Sequence, residues 1–408
     1  GLDTSKVTSM YGMFSGNSEL AFLDVSNFDT SNVTSMFYMF EKNSSLTSLD
    51  LSHFNTSNVT TMSGMFSNCS KLVDLNISSF NTSKVVDMSS MFQWNASLES
   101  LDLRNFDTRN VTKMYYMFSL CRKLKYLNVS SFNTSRVYDM SSMFRDDNSL
   151  LSLDLSNFDT SNVKYMEHMF EDCSSLTNLN VSSFNTSRVT TMESMFENCC
   201  SLPYLNISNF DTSRVIYMNG MFAYCSSLTS LNLSNFDTSN VKYMGSNRTV
   251  VEFSSDGSLS WYSSSGGGGM FAGCSKLTTL NLSNFRTDKV VSMFNMFSSC
   301  SSLVSLDISS FNTQSVTNMG LMFYKTINLT NYKLPVFNVR SVTEMRGMFE
   351  KSKINYVKMN RANFNSSAKV TPLVPNYQQF NLVVRSSQDK ALFGDLSNTR
   401  LNITVSTN

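Results

Sequence analysis

The sequence has little charge and no long hydrophobic run, and each shortage excludes a class of function. Lysine, arginine, aspartate and glutamate make up 15% of the 408 residues, and the formal net charge is +1. Without a basic stripe or an acidic tail, we expect no capture of nucleic acid or of an anionic membrane. No apolar run approaches the roughly 20 residues that cross a bilayer, so no direct membrane insertion is expected. No signal peptide is recognisable, and a start at Gly1 within a repeat suggests a processed or truncated product.

What the sequence does contain is a 26-residue unit, present in twelve full copies after a partial one. Counted from the first leucine of each copy, Phe recurs at offset 8, Val at 13, Met at 16 and 19, and Phe at 20. The register leucines are Leu20, Leu46, Leu72, Leu98, Leu124, Leu150, Leu176, Leu202, Leu228, Leu277, Leu303 and Leu329. A strict period of this length predicts a solenoid, because one unit cannot bury its apolar face alone.

The copy at 150–175, LLSLDLSNFDTSNVKYMEHMFEDCSS, indicates how one unit folds. Leu153 and Leu155 share one face of an alternating strand, and Asp154 lies on the other. FDTSN supplies turn formers, and MEHMF suits a single helical or 3₁₀ turn that is too short to decide. We predict a repeat solenoid, a leucine-rich-repeat-like β-solenoid of about 13 stacked 26-residue units, with short strands and a one-turn helical or 3₁₀ segment per unit.

Two motifs in this copy carry a resemblance to a known family. They are LDLSNFDTSNV at 153–163 and MFxxCSxL at 169–176. The repeat resembles the FDTSNVT-type surface-protein repeat, a 26-residue relative of the leucine-rich repeat found in mycoplasma lipoproteins, BspA-like bacterial surface proteins and some protists. The resemblance covers Leu2 to about Phe349. It implies a solenoid on the outside of the cell, used for attachment or as a surface scaffold, and it implies no catalytic residues.

The residues that most enzymes need are scarce. The two histidines, His53 and His168, lie in different copies and each occupies an otherwise polar surface position. Acids such as Asp154 and Asp159 recur down the chain, whereas catalysis needs one asymmetric site with separated proton affinities. We therefore expect no enzyme, no catalytic residue and no cofactor.

Seven of the eight cysteines occupy offset 23, where other copies have Asn43, Asn95, Asp147 or Thr326. This tolerance favours a buried thiol ladder over a fixed disulfide pattern. Stacked copies about 4.8 Å apart are nevertheless within disulfide range, so neighbours such as Cys173 and Cys199 are alternative pairs. No CxxC or His–Cys spacing indicates a metal site.

Polar columns also follow the repeat. Offset 4 interleaves Asp and Asn, for which calcium bridging is one interpretation and limited like-charge contact another. Offset 10 is a Thr column from Thr30 to Thr313, which suits either an ice- or polysaccharide-binding face or hydroxyls that satisfy turn backbone groups. Many asparagines are N-x-S/T acceptors, which we predict as glycosylation sites if the chain passes through a eukaryotic secretory pathway. They include Asn32, Asn55, Asn58, Asn76, Asn81, Asn110, Asn128, Asn133, Asn180, Asn185, Asn206, Asn232, Asn281, Asn328 and Asn402.

Two segments interrupt the pattern. We predict a solenoid over 1–353, an inserted hairpin-like loop at 245–269, and a degenerate last repeat with a C-terminal β cap or assembly segment at 354–408. Trp261 and Tyr262 in the insertion are candidates for a contact tip, although a tolerated loop needs no function.

An uncapped first copy invites pairing with another chain. We expect an extracellular, non-enzymatic structural or adhesive protein that self-associates head-to-tail into a filament. The candidate assembly residues are Leu2, Val7, Met10, Met13, Phe14, Phe380, Val383, Leu401 and Ile403. The alternatives are a monomeric adhesin or receptor ectodomain that binds a host or matrix protein, and a polysaccharide- or ice-binding solenoid that uses the Thr column.

Overall fold

The chain folds as a repeat solenoid in which successive copies pair in parallel. Ser9 pairs with Ser35 and Thr191 pairs with Tyr217, a register of one 26-residue copy. By internal contacts the chain divides into two units, 1–189 and 190–408. This computed structural model describes residues 2–246, 249–253, 259–263, 268–364, 367–369, 373, 379–394 and 401–406. The predicted fold class is therefore confirmed.

In the first unit, the strands are three residues long and come from the LxL segment of the copies. They are β1 Ser48–Asp50, β2 Asp74–Asn76, β3 Ser100–Asp102, β4 Tyr126–Asn128, β5 Ser152–Asp154 and β6 Asn178–Asn180. They pair in parallel as β1–β2, β3–β4 and β5–β6. Each pair joins a copy with Asp at offset 4 to the next copy with Asn, and Asn180 Nδ2 donates to Asp154 Oδ1 over 2.9 Å. The Asp–Asn alternation thus replaces a repulsive contact with a hydrogen bond.

The second unit has longer strands near its C-terminal end. Its elements are β7 Thr249–Phe253, β8 Leu259–Ser263, β9 Thr279–Asn281, β10 Ser305–Asp307, β11 Asn331–Lys333, β12 Val336–Asn338, β13 Tyr356–Asn360, β14 Phe380–Val384, α1 Ser387–Gly394 and β15 Leu401–Val405. Strands β9–β10–β11 and β12–β13–β14–β15 form parallel sheets, while β7 and β8 pair antiparallel. Parallel pairing therefore continues as far as β15.

The core consists of ladders of identical apolar side chains. In the first unit, the Phe40 and Phe66 rings stack with centroids 5.8 Å apart, and the Phe144 and Phe170 rings stack at 5.6 Å. The two methionines within each of these copies, such as Met36 and Met39, are 0% exposed. Burial of each such side chain contributes about 1.5–3 kcal/mol, and stacking on the next copy makes that burial complete.

The segment that contains the two methionines differs from the predicted helical or 3₁₀ turn. The Met39 N–H donates to the Met36 carbonyl over 3.2 Å, and Tyr38 between them has a φ of 56°. The Tyr38 N–H donates instead to Ser63 of the next copy, over 3.0 Å. Every second N–H group of this segment therefore donates to a carbonyl of the next copy. Residues with positive φ, such as Tyr38, prevent a continuous helix, and the segment forms tight turns instead.

The insertion leaves the repeat around it intact. The Met270 N–H donates to the Met244 carbonyl over 2.8 Å, which is the same turn bond that joins Met39 to Met36. Gly245 and Gly269 are the first and last residues of the insertion, and a Cβ on either would lie 2.2 Å from backbone atoms of the next copy. Only glycine fits at this close approach between copies. The side chains of the candidate contact residues Trp261 and Tyr262 lie outside the described part of the structure.

Candidate functional site

The acidic columns hold turns within their own copies. At offset 4, Asp24 Oδ1 accepts the Ser26 N–H over 2.9 Å, and at offset 9, Asp29 Oδ1 accepts the Ser31 N–H over 2.9 Å. The Ser26 backbone hydrogen bond holds the pKa of Asp24 below its ordinary value. Among the described residues, no group of three or more His, Cys, Asp or Glu side chains is arranged to hold a metal ion. These acids therefore serve the fold, and calcium bridging gains no geometric support.

The Thr column is buried, which makes the predicted ice- or polysaccharide-binding face wrong. From Thr30 to Thr313, the threonines at offset 10 are at most 2% exposed. Thr160 Oγ1 donates to the Asn185 carbonyl over 2.9 Å and accepts the Asn185 N–H over 2.8 Å. Each hydroxyl thus bridges to the next copy, and a polymer on the surface cannot contact it. The alternative interpretation, that the hydroxyls satisfy backbone groups, accounts for the column.

The column at offset 23 consists of buried hydrogen-bond donors. Cys69 Sγ donates to the Phe40 carbonyl of the preceding copy over 3.1 Å, and Asn95 Nδ2 donates to the corresponding Phe66 carbonyl over 3.0 Å. Burial raises the pKa of the Cys69 thiol to about 12, so it does not form a reactive thiolate at neutral pH. Free thiols in this column are Cys69, Cys121, Cys173, Cys225, Cys274 and Cys300.

Asp147 is the exception in that column. Its Oδ1 accepts the Cys121 N–H over 2.9 Å, and its Oδ2 is buried without a hydrogen-bond partner. Burial raises the pKa of this carboxyl well above its ordinary value. A protonated Oδ2 would donate, as the thiols and amides of the same column do. The sequence marks Asp147 as unusual, because Cys, Asn and Thr at the same offset of other copies can all donate a hydrogen bond.

Arg145, His168 and Glu171 form a polar cluster that the repeat pattern did not predict. His168 Nδ1 and Arg145 Nε each lie 2.8 Å from Glu171 Oε2, and the Glu171 side chain is 7% exposed. His168 is therefore part-buried and paired, not an isolated surface residue. His53 is exposed, and its Nε2 lies 2.8 Å from the Val25 carbonyl oxygen. The structure does not bring the two histidines into one site.

The glycosylation candidates are all at least part-exposed. Asn32 and Asn110 use Nδ2, the atom that would carry a glycan, to donate to serine carbonyls of the preceding copy over 2.8 Å. At Asn55 and Asn133, the Oδ1 atom is used, in bonds to serine N–H groups over 3.1 Å. Asn55 and Asn133 are therefore better placed to carry a glycan, because these bonds do not use Nδ2. Glycosylation stays a prediction at all fifteen positions.

The assembly candidates are placed in two environments. In the first copy Leu2 is 62% exposed and Val7, Met13 and Phe14 are part-exposed, whereas Met10 is buried. Of the C-terminal candidates, Phe380 is fully buried in its own sheet, with its ring centroid 5.1 Å from that of Phe349. Val383, Leu401 and Ile403 are part-exposed. Phe380 is thus unavailable for a contact with another chain in this arrangement.

Open grooves lie on the outward strand face, where the side chains at offsets 2 and 4 are exposed. In the first unit a groove of about 600 Å³, here called the acidic groove, is lined by Phe22, Asp24, Asp50, His53 and Asp74 among others. Phe22 is 73% exposed at its edge. Three carboxylates and an exposed aromatic ring make this groove suited to a cationic group.

In the second unit a groove of about 700 Å³ carries no charge and is here called the neutral groove. Tyr204, 63% exposed, borders it, and asparagine, serine and threonine side chains line it, including Asn206, Asn232 and Asn281. A smaller opening of about 260 Å³ lies beside β10 and includes Asp307 and Lys333. The sequence indicates the two larger grooves, because each has an aromatic residue at offset 2, Phe22 or Tyr204. Apart from these and Tyr126, this offset is mostly small or polar.

Five stretches of the chain match the model of a family described as a mycoplasma protein of unknown function, DUF285. They are residues 1–100, 49–126, 87–204, 176–262 and 268–386. The chain belongs to this family. The resemblance predicted from the repeat motifs is thereby confirmed at the level of a mycoplasma-type repeat family. No curated protein matches this DUF285 chain.

Solved structures similar to the DUF285 chain include three repeat proteins of low identity. The pneumococcal vaccine antigen PcpA is 14% identical, with 93% of this chain and 74% of that one covered and a TM-score of 0.25. The functional domain of InlJ from Listeria monocytogenes, which includes a cysteine ladder, is 16% identical, with 94% and 80% covered and a TM-score of 0.21. TLR13 in complex with ssRNA13 is 13% identical, with 98% and 83% covered and a TM-score of 0.16.

Where the DUF285 chain is described, none of its helical segments reaches the length and hydrophobicity that a membrane crossing requires.

Proposed function

We propose that this chain is the repeat region of an extracellular, non-enzymatic surface protein that acts by adhesion. The observation that carries the proposal is the outward strand face of the copies, where each unit has an open groove bordered by an exposed aromatic ring. Exposed aromatic side chains next to hydrogen-bonding groups are typical of binding surfaces. The resemblance of the repeat to surface-protein repeats supports the extracellular location.

The use of the polar side chains supports a non-enzymatic role. Asp24 and Asp29 hold Asx turns, and Thr160 bridges neighbouring copies. These groups recur in copy after copy as parts of the fold. An active site instead needs a convergent set with a nucleophile, a base and an orienting group. Binding by the outward strand face requires no such set.

The location is tested by labelling intact source cells with a membrane-impermeant biotin reagent and recovering the protein. We expect labelling of lysines on this chain and none of a cytosolic control protein. Attachment is tested with cells in which the gene is deleted, which we expect to adhere less to host tissue than the parent cells. A chain that is labelled only after lysis would contradict the extracellular location, and unchanged attachment would contradict adhesion.

A second candidate is a structural filament formed by head-to-tail stacking. The observation that favours it is the way copies stack through identical side chains, as the Phe14 ring does on Phe40 with centroids 5.6 Å apart and the Phe40 ring on Phe66 at 5.8 Å. A second chain stacked on the first copy would bury the same columns.

Electron microscopy of the purified chain tests this candidate. Filaments that disappear in Phe14→Asp and persist in Thr8→Asp would support it, because Thr8 is exposed on the same copy. Isolated particles at all concentrations would contradict it and leave adhesion as the function.

A further inference from the structure

We infer that the neutral groove beside Tyr204 binds a neutral oligosaccharide. This inference rests on the proposed adhesive function and names the ligand class of one of its surfaces. It is carried by four features of the second unit: an interruption of the strand ladder, a row of outward amide donors, the absence of charge from the lining, and an exposed tyrosine ring.

The groove lies where the strand ladder of the second unit is interrupted. In the first unit the Leu51 N–H donates to the Asn76 carbonyl over 2.9 Å and joins β1 to β2, whereas no such bond joins β2 to β3 among the described residues. The corresponding bonds, from Ile207 to Asn232 and from Leu233 to Asn281, are absent from the described residues. Neither 204–206 nor 230–232 forms a strand. The outward face at this edge has an opening of about 700 Å³, within the range of ligand-binding pockets.

The asparagines at offset 4 present a row of hydrogen-bond donors. The Oδ1 atoms of Asn206, Asn232 and Asn281 accept the N–H groups of the serines two residues later, over 3.2, 3.1 and 3.0 Å. This bond orients each amide, and within the described part of the chain the three Nδ2 groups have no acceptor. All three residues are exposed. Their amides recur once per copy along the outward face, as hydroxyl groups recur along a chain of sugar units.

The lining carries no acidic or basic side chain. This is a local departure, because offset 4 elsewhere places Asp at positions such as Asp50 and Asp154. Four successive copies, from Asn180 to Asn281, have asparagine at this offset, and the last three of these asparagines line the groove. An ionic ligand would lose hydration in this groove without gaining a counter-charge. Amides and hydroxyls instead match a ligand with many hydroxyl groups, since each can donate or accept.

Tyr204 completes the match to a sugar. Its ring is 63% exposed at the edge of the groove and supplies a flat apolar face beside polar groups. A pyranose ring has the complementary form, with one face of C–H groups and a rim of hydroxyls. A neutral peptide fits less well, because peptide recognition relies on pockets for apolar anchors, and Leu205 and Leu233 of the lining are turned into the core, at most 4% exposed.

The test is titration calorimetry of the full chain with maltohexaose, cellohexaose and chitohexaose, and with heparin and hyaluronan hexasaccharides as anionic probes. Two variants address the groove. Tyr204→Ala removes the ring, and Asn232→Asp keeps the Oδ1 acceptor while it removes the Nδ2 donor. Asp occupies the same position at Asp102 and Asp154, so the second variant is compatible with the fold. Tyr126→Ala is the matched control, because Tyr126 is 54% exposed at the same offset on β4.

We expect at least one neutral probe to bind, with affinity about tenfold or more weaker in Tyr204→Ala and in Asn232→Asp and unchanged in Tyr126→Ala. Melting temperatures and circular dichroism establish that the variants are folded. Absence of binding to every neutral probe would overturn the inference. Binding that both groove variants leave unchanged, or equal binding of the anionic probes, would overturn it as well.

The outcome is distinguishable from a failure of the proposed function. If cells producing Tyr204→Ala adhere as well as the parent cells, adhesion stands and the oligosaccharide groove does not contribute to it. If the protein is not exposed on cells but the purified chain binds a neutral probe through Tyr204, oligosaccharide binding by the groove is supported and the extracellular role is contradicted.

Discussion

Asp147 Oδ1 accepts the backbone N–H of Cys121 over 2.9 Å, and this carboxyl is fully buried in a column of hydrogen-bond donors. Its position matches that of Asn95, whose amide donates to the Phe66 carbonyl of the preceding copy. A carboxylate can only accept, and burial disfavours its charge, so the fold favours the protonated form of Asp147. One residue in an otherwise repetitive core therefore makes stability depend on pH.

We predict that Asp147→Asn stabilises the chain increasingly as the pH rises. Burial raises the pKa of Asp147 in the folded state above its unfolded value of 3.8, so the native state binds more protons. The contribution of Asp147 is thus fully present below pH 3.8 and is lost as the pH rises through the folded pKa. Urea unfolding of both proteins at a series of pH values from 4 to 8 measures the difference.

The matched control for this measurement is Asp154→Asn. The Ser156 N–H holds the pKa of Asp154 below its ordinary value, so its contribution is present above the unfolded pKa and is lost as the pH falls. From pH 4 to 8 the stability difference between Asp154→Asn and the parent chain should therefore change little, and it should change only as the pH falls below 3.8. A stability difference between Asp147→Asn and the parent chain that does not change with pH would show that Asp147 is ionised in the fold.

We predict that Thr160→Val destabilises the first unit by about 1–3 kcal/mol, although it preserves the shape of the side chain. The valine cannot replace the two bonds with Asn185 and leaves a backbone N–H and a carbonyl without their partner. Thr160→Ser retains the hydroxyl and should cost much less. Chemical unfolding of the two variants checks the prediction, and equal stabilities would mean that the Thr column does not bridge the copies.

We predict that Phe158→Ala costs about 3–5 kcal/mol and splits the unfolding transition. Phe158 is 1% exposed and stacks on Phe132 with a centroid distance of 6.3 Å, so truncation opens a cavity between neighbouring copies. The control is Phe22→Ala, which removes a ring that is 73% exposed and should change stability by about 0.5 kcal/mol or less. A single transition of unchanged midpoint for Phe158→Ala would contradict the assigned register.

We predict that Gly269→Ala destabilises the second unit and that Gly268→Ala does not. A Cβ on Gly269 would lie 2.2 Å from the Asn295 backbone, whereas on Gly268 the nearest atom is the Ala272 Cβ at 3.5 Å. We also predict that deletion of 246–268 preserves the fold, because it joins Gly245 to Gly269 and restores an uninterrupted copy. Thermal unfolding of the three variants measures this, and loss of folding in the deletion would show that the insertion supports the repeat.

The sequence predicted the repeat register and the core because the period leaves one arrangement for the apolar columns. Phe40, Met36 and Val33 are buried as their offsets require. The turns between the methionines were not predictable, since apolar spacing at Met36 and Met39 is the same for a helical turn and for a tight turn with Tyr38 in the left-handed region. Their hydrogen bonds run to the next copy, and a single-copy pattern does not contain that information.

The polar columns were harder to interpret for a related reason. Exposed and buried threonines have the same periodicity, so Thr160 was compatible with a surface array until the next copy was placed over it. Asp147 and Tyr204 are deviations from the repeat, and a repeat-based interpretation gives most weight to what recurs. The interrupted ladder at 204–206 does have a local sequence signal, because Pro203 lacks the N–H that the equivalent Lys125 and Thr177 donate to the preceding copy.

The central claim is that the outward strand face of this DUF285 chain mediates attachment, and bead attachment tests it most directly. Beads coated with the full chain, with Tyr204→Ala or with an unrelated protein are counted on host cells under flow. The account predicts attachment above that of the unrelated protein, reduced by Tyr204→Ala and by free neutral hexasaccharide. Attachment equal to that of the unrelated protein would contradict it.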